Sequence, residues 1–558
     1  MNIKEKYIYP VALAALACLA GACNDGLLDV EATDRIGDSP IVNDSSLFED
    51  FVINRYMGVR LQEKEAEGTP PGFGRGFEYA LWASLTDEAI YNNDDNTWVV
   101  QRGQLAPENL GITGTLWARS YRSIRECNYA LSVIDQVQMS ASHKAWLTAE
   151  LKFIRAYRYH DLVRNYGSVV LMGDKVYNLT DDLAAEGLFE KSTIAQGVEY
   201  VVAQLDEAAA GLPAVNNSTW QLGRATRGAA LALKARMLLY AASPLYNVGT
   251  WQAAADAAQD VMELSYSLHP DYRSLFLSPS SSEIIFERLY AVGARHVCLE
   301  ISNGPNGYGG WAGNSPLQNL VDAYEVKVDA TTAVPFDWEN TAHKADPYAN
   351  RDPRFNASIL HNGSDYRGRE IETFLPGGKD SKDGQDNWNA SKTGYYLKKF
   401  LNDALPIQNP WDVAGTQPWI YLRYAEVLLN YAEAQNEVAG PDASVYDAIN
   451  LIRQRADMPD LPAGLDQDGM RDAIRHERQV ELAFEEHRFY DVRRWMIAMD
   501  TENEPAYGVS ITKSGSVLTY QKVVALDGRK FEEKHYWLPI PRAEIQSSGD
   551  RLDQSPHY

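Results

Sequence analysis

The chain of 558 residues is short of cysteine, of basic residues and of long apolar runs, and each shortage closes off a class of protein. Four cysteines cannot build a disulfide framework, and no C-x-x-C spacing offers a zinc site. A single bridge between Cys127 and Cys298 stays open; otherwise the fold has to hold by packing, for which 45% hydrophobic residues suffice. Only 52 Lys and Arg stand against 76 Asp and Glu, and a net charge of −24 repels the phosphate backbone of a nucleic acid. After residue 22 no apolar run is long enough to span a bilayer, which takes about 20 residues. Catalytic signatures are missing as well: neither G-x-S-x-G nor H-E-x-x-H occurs, and "GFGRGFEYA" follows Pro70-Pro71 where a strand should lead into a nucleotide loop. Glycoside cleavage needs two opposed carboxylates, and no spacing singles out such a pair. A secreted glycoside hydrolase stays an alternative reading.

The beginning of the chain is informative. "YIYPVALAALACLAGACNDGLLDVE" is uncharged from Tyr7 to Ala22, is preceded by Lys4 and Lys6, and ends in Ala20, Gly21 and Ala22. That is too short for a spanning helix and fits a signal segment over residues 1–22. Cys23, directly after the small residues and before Asn24 and Asp25, matches a bacterial lipobox, in which the thiol is acylated, although Ala20 stands where leucine is usual. One acyl chain binds a membrane only marginally, so a stable anchor needs several. Residues 23–558 are then expected to form a body on a lipid tether.

Three segments read as helices. In "HKAWLTAELKFIRAYRYHDLVRNYG", Leu147, Leu151, Ile154 and Tyr157 recur at helical spacing and Gly167 supplies the stop. In "TRGAALALKARMLLYAASP", Thr226 is placed to cap the start, Pro244 follows the end, and the alanines leave room for close helix approach. In "WIYLRYAEVLLNYAEAQNEVAGP", Tyr421, Ala425, Leu428 and Ala432 form one face that ends at Gly440-Pro441. "KARMLLYAAS" followed by "WQAAADAAQDVME" is echoed by "YAEVLLNYAEAQ" followed by "VYDAINLIRQ", which predicts a degenerate tetratricopeptide-type solenoid of helical pairs. The expected organisation is a helical part over about 23–250, a loop-rich part over about 266–415 with short β-rich pieces such as "EIIFERLY", and a helical part with a tail over about 416–558.

Two charged features invite chemistry. "HERQVELAFEEHRFYDVRRW" sets Glu477, Glu481 and Glu485 four apart beside His476 and His487. The interleaved Arg475, Arg478, Arg488, Arg493 and Arg494 make a structural salt-bridge network the expectation. "KDGQDN" and "NNDDN" carry calcium-friendly oxygens but no closing glutamate, so no cofactor is expected beyond a weak structural calcium. The aromatic content, 13 Trp, 32 Tyr and 15 Phe, suits sugar stacking and protein interfaces alike.

Taken in order, "CNDGLLDVE", "LKFIRAYRYHDLVRNYGSVVL", "RDPRF", "YLRYAEVLLNYAEAQNE", "IRHERQVELAFEEHRFYDVRRW" and "YWLPIPRAEIQ" resemble the SusD/RagB family of outer-membrane lipoproteins from Bacteroidetes. The tail departs from the family's usual ending, reading "DQSPHY". The resemblance spans the mature chain. It implies a mainly α fold, a tetratricopeptide-like helical-pair superhelix with an irregular loop-rich half. It also implies a non-enzymatic, lipid-anchored protein on the extracellular face of the outer membrane that binds oligosaccharide and caps a SusC-like TonB-dependent transporter. A peptide-binding or purely structural lid is the other alternative. Ligand contacts are expected on the loops and in "EYALWASLTDEAIYNNDDNTWVV", with Tyr91, Asn93, Asp94, Trp98, Tyr308 and Trp311 as candidates. Trp82, Arg367, Tyr395, Asn43 and Cys298 are added from regions where family members contact sugar.

Overall fold

The computed structural model describes residues 38–57, 82–94, 96–178, 180–291, 299–407 and 415–558. The signal segment, Cys23 and Cys298 lie outside the described residues. Cys127 is a buried free thiol, pushed up by burial to about 11.

The scaffold helices are α1 (Leu116–Val133), α2 (Ala141–Tyr166), α3 (Ile194–Gly211), α4 (Arg227–Ala242), α5 (Trp251–Met262), α6 (Tyr424–Ala439), α7 (Ala443–Arg455) and α8 (Gln467–Glu481). From α1 to α5 each packs on its successor; α6 then lies on α5 and carries α7 and α8. This is a mainly α, tetratricopeptide-like stack of helical pairs. The two halves of the sequence echo are real pairs, α4 with α5 and α6 with α7, and they meet through α5 and α6.

Local chemistry explains the boundaries. Ser140 caps α2 by accepting the His143 N–H at 3.2 Å, and Gly167, at φ +69°, ends it. Thr193 and Gln196 form a reciprocal capping box at the start of α3. Thr226 does occupy the N-cap of α4, but its hydroxyl makes no capping bond. Gly440 stops α6 at φ +79°. Along α4 the buried Gly228, Ala229, Ala230, Ala232 and Ala235 let its neighbours approach closely.

The strands that matter for the site are β1 (Ala89–Tyr91), β2 (Ile284–Arg288), β3 (Asn314–Pro316), β4 (Trp419–Arg423), β5 (Ala506–Ser514) and β6 (Val517–Leu526). β4 corrects the expectation of one continuous helix through Tyr421. Trp419 to Arg423 pair antiparallel with β2, Trp419 opposite Arg288, and α6 begins only at Tyr424. Aromatic and β-branched side chains favour this extended segment, and its partner is remote in sequence. Between α5 and β4 no element among the described residues exceeds six residues, so this stretch depends on side chains for order.

Buried ion pairs supply much of that order. Glu477 and Glu481 on α8 reach Arg354 of the loop-rich stretch at 2.5 and 2.9 Å. Arg423 of β4 reaches Glu481 at 2.6 Å, Glu283 at 2.7 Å and Glu485 at 2.7 Å, and Lys399 joins Glu485 at 2.7 Å. Arg453 and Arg455 of α7 close the cluster onto Glu477 and Glu283. The three glutamates are thus neutralised, but by cations from other segments. The interleaved arginines pair elsewhere: Arg478 and Arg494 with Asp491, Arg488 with Asp87. Arg493 donates to the His535 carbonyl at 3.2 Å, and Arg475 lies over Trp495. Because α8 ends at Glu481, Glu485 falls beyond the helix; it shares Arg423 with Glu481 and takes Lys399 as its second cation.

Candidate functional site

Three loops meet on one side of this scaffold. β1 pairs with β3, Tyr91 opposite Asn314, and the Asn92 N–H extends the pairing to the Gly313 carbonyl at 2.7 Å. The Asn92 side chain then seizes the third loop: its amide donates to the Ala390 carbonyl at 3.2 Å and its Oδ1 accepts the Lys392 N–H at 3.0 Å. Asn93 donates to Asn389 at 3.2 Å. Buried Asn306 donates to the Ser381 and Gln385 carbonyls at 3.2 and 2.7 Å and accepts the Tyr396 hydroxyl at 2.7 Å. Residues 92–94, 96–98, 303–314 and 380–392 are therefore stitched into one loop-built surface.

The glycines serve that stitching. A Cβ on Gly310 would sit 2.1 Å from the Gly304 carbonyl oxygen, and one on Gly313 would sit 2.6 Å from the Ser302 carbonyl oxygen and 2.9 Å from the Tyr91 ring. Their lack of a side chain lets the chain approach itself.

Trp98 is half-buried and held by its edge, the indole N–H donating to the Tyr91 carbonyl at 3.1 Å. Its backbone N–H donates to Asp94 Oδ1 at 2.9 Å, with Asp94 in the left-handed region at φ +73°. Arg102 and Lys392 both stand against the ring, 4.7 and 4.4 Å from its centre. Trp311 is half-buried, its backbone tied to the Ile301 carbonyl at 2.7 Å, and its indole takes part in no hydrogen bond or ring contact among the described residues. Trp388, on the short turn Asn387–Asn389, is 70% exposed. Tyr308 donates its hydroxyl to the Tyr366 carbonyl and has the Arg369 guanidinium 4.1 Å from its ring centre.

Other candidates sit elsewhere. Trp82 is buried edge-on against Phe489 at 4.6 Å, and Tyr395 is fully buried with its hydroxyl on Gln318 at 2.6 Å. Tyr91 is buried beneath the surface it helps to build. Arg367 reaches the Asn402 carbonyl at 2.9 Å and lies over Tyr366. Asn43 is exposed at the end of the helix Asp38–Asn43, which packs on residues 134–136 of the scaffold. Sequence reading passed over Trp388, Asn389, Lys392 and Arg102. For Trp388 there was a signal, a tryptophan inside "KDGQDNWNASK" with no apolar residue beside it to share a core. Among the described residues no three His, Cys, Asp or Glu side chains gather as metal ligands.

The helical-pair scaffold thus presents a loop-built surface of indoles, amides and cations. Comparison with known proteins gives the family. A model described as the SusD family matches residues 282–558, and one described as starch-binding associating with outer membrane matches residues 77–239. The chain belongs to the SusD/RagB family. It is 24% identical over 515 residues to SusD-like protein P2 of Formosa agariphila, covering 86% of this chain and 90% of that one. A solved SusD-like protein from Bacteroides fragilis superposes with TM-score 0.77 at 28% identity, covering 95% of this chain and 100% of that chain. A SusD-like carbohydrate binding protein from the same species gives TM-score 0.74 at 25% identity, covering 91% and 98%.

Proposed function

We propose that this protein binds oligosaccharide on the outer face of the outer membrane, anchored through Cys23, and hands it without cleavage to a SusC-like TonB-dependent transporter that it caps. The carrying observation is the stitched loop surface, whose three loops carry Trp311, Trp388, exposed Asn93 and Lys392, with neither Trp311 nor Trp388 in a side-chain hydrogen bond or ring contact among the described residues. Sugar recognition needs that combination, since CH faces stack on rings while hydroxyls bond to amides and charges at the ring edge. Membership in a family described as associating with the outer membrane supports the location, and the carbohydrate-binding Bacteroides fragilis relative supports the ligand class. A non-catalytic role fits the central glutamate of the spaced trio as well. Burial pushes Glu481 up, but Arg455, Arg423 and Arg354 overcome it and hold the group well below the usual range, where it cannot shuttle a proton at neutral pH.

Calorimetry of the mature protein against a panel of polysaccharides, with pull-down from native outer membranes, tests the proposal. A glycan that binds in the micromolar range and a co-purifying β-barrel are the expected results. Release of reducing ends from a bound glycan would replace it with the hydrolase reading. No glycan binding, with the barrel still co-purifying, would leave a structural or peptide-binding lid.

A further inference from the structure

On a chain with 24 surplus negative charges, cations without carboxylate partners stand out when they gather. Lys392 and Arg102 flank the Trp98 ring, and Lys382 is close enough to repel Lys392. None of the three has a carboxylate oxygen within 4.0 Å among the described residues. Asp94 is the acid that attracts Lys392, and its Oδ1 is occupied by the Trp98 N–H. Arg369, on the same surface, shows the alternative: Asp380 neutralises it with two hydrogen bonds at 2.6 and 2.8 Å. Burial lowers the pKa of Lys392, Asp94 opposes, and Arg102 and Lys382 lower it further. The Lys392 ammonium spends one N–H on the Asn92 carbonyl, and two remain.

We infer that this surface selects polyanionic glycans, seating a uronate carboxylate or a sulfate ester beside Lys392 or Arg102 at the Trp98 ring, with exposed Lys382 adding to the positive field, while a sugar ring stacks on exposed Trp388. The inference rests on the reading of the stitched loops as the glycan site and adds the charge of the ligand to it. A polyanion across this surface offers counter-charge to cations that have no carboxylate oxygen within 4.0 Å among the described residues, and does so beside a half-buried ring, where screening by salt is weaker than in open solvent. A neutral sugar offers none of them a counter-charge.

The test is calorimetry of the mature protein with three probes at low salt: oligogalacturonate for carboxylate, carrageenan oligosaccharide for sulfate, and laminari-oligosaccharide as the neutral reference. The expected result is that one anionic probe binds at least about tenfold tighter than the neutral one and weakens severalfold between 0.05 and 0.5 M NaCl. Lys392→Gln, which keeps a donor for the Asn92 carbonyl, should lower anionic affinity about tenfold, and exposed Lys382→Gln about threefold, each severalfold beyond any change it makes to the neutral probe. Preference for oligogalacturonate identifies a uronate and preference for carrageenan a sulfate ester; both support the inference. Equal binding of the neutral probe, insensitive to salt and to both substitutions, overturns charge selection and leaves glycan recognition standing. Failure of every glycan, in proteins whose melting is unchanged, overturns both.

Discussion

Glu481→Gln should be the most damaging single-atom-scale change in this protein outside its core of apolar side chains. Glu481 is fully buried at the last turn of α8 and is shared by three guanidinium groups. Arg354 approaches Oε2 at 2.9 Å and Arg423 approaches Oε1 at 2.6 Å, and Arg455 takes the same Oε1. A glutamine keeps one carbonyl oxygen for these donors but turns an NH2 group towards the others, so donor meets donor and a buried guanidinium loses its counter-charge. Removing one partner of a buried pair costs about 3–5 kcal/mol, and the remaining acceptor places this change near the lower figure, about 3 kcal/mol. Unfolding entropy of about 2.1 cal/mol/K per residue gives a chain of this size roughly 1 kcal/mol per degree, so the melting temperature should fall by about 3 °C.

Scanning calorimetry of the mature protein at pH 7 and one fixed scan rate reads this directly. Glu186→Gln, which breaks the exposed Lys175–Glu186 pair, is the control and should leave the transition where it was. If Glu481→Gln moves the transition by less than 1 °C, the ion cluster is not what holds the loop-rich stretch to the scaffold, and the account of its order given above is wrong.

Trp388→Ala should lower glycan affinity by about tenfold without moving the melting temperature, because the ring is 70% exposed and makes no core contact to lose; calorimetric titration and a thermal scan on the same sample check both halves. Glu287 is a stability liability at high pH: burial pushes it up to about 7, the Ser280 N–H opposes weakly, and its second oxygen has no partner. Its folded value lies above its unfolded one, so stability falls as pH rises between about 4.5 and 7. Glu287→Gln should therefore raise the melting temperature at pH 8 by up to about 3 °C and change it little at pH 4, and a pH-independent effect would contradict this. Glu426 has the opposite sign. Burial raises it, but Arg236 and then His487 bring it down to about 2, so its contribution, on the order of 3 kcal/mol, is present above pH 4.5 and is lost as pH falls towards 2. Acid unfolding followed by circular dichroism should begin below about pH 4.5, and Glu426→Gln should make the curve shallower. Gly313→Ala should weaken glycan binding severalfold, since its methyl group would push β3 away from the Tyr91 ring; unchanged affinity would show that the loop register does not matter for binding.

How much of this was legible depended on how far away each residue's partner lies. Helix ends at Gly167 and Gly440, and the echoed pairs, were readable because their causes are local: apolar spacing, a stop glycine, small residues at a close approach. Tyr421 was misread because the segment's strand character is fixed by β2, more than a hundred residues upstream, and periodicity within a window cannot see that partner. The glutamates of α8 announced themselves by spacing and charge, yet their true counter-ions, Arg354, Arg423, Arg453 and Arg455, come from other segments, and the adjacent arginines were the natural but mistaken choice. Trp82 and Tyr395 were candidates through the family resemblance alone, with Leu81 and Ala83 beside the one and Gly394 and Tyr396 beside the other giving no sign of exposure; the fold turns both rings inward onto Phe489 and Gln318.

These same facts separate scaffold from specificity. The irregular stretch is anchored from beneath, where Arg354 and Lys399 enter the buried cluster and Arg273 gathers the carbonyls of Lys398, Lys399 and Leu401. Its upper side is fixed by backbone and amide bonds around Asn92 and Asn306, which leave Trp311, Trp388, Lys382 and most of Lys392 outside the load path. Substitutions at those four positions should therefore change what is bound without changing what is folded. A loop surface built in this way can vary its ligand while the helical stack and its ion cluster stay the same. The network beneath is therefore the better place to perturb stability, and Lys392, Lys382 and the two indoles above are the better place to perturb recognition.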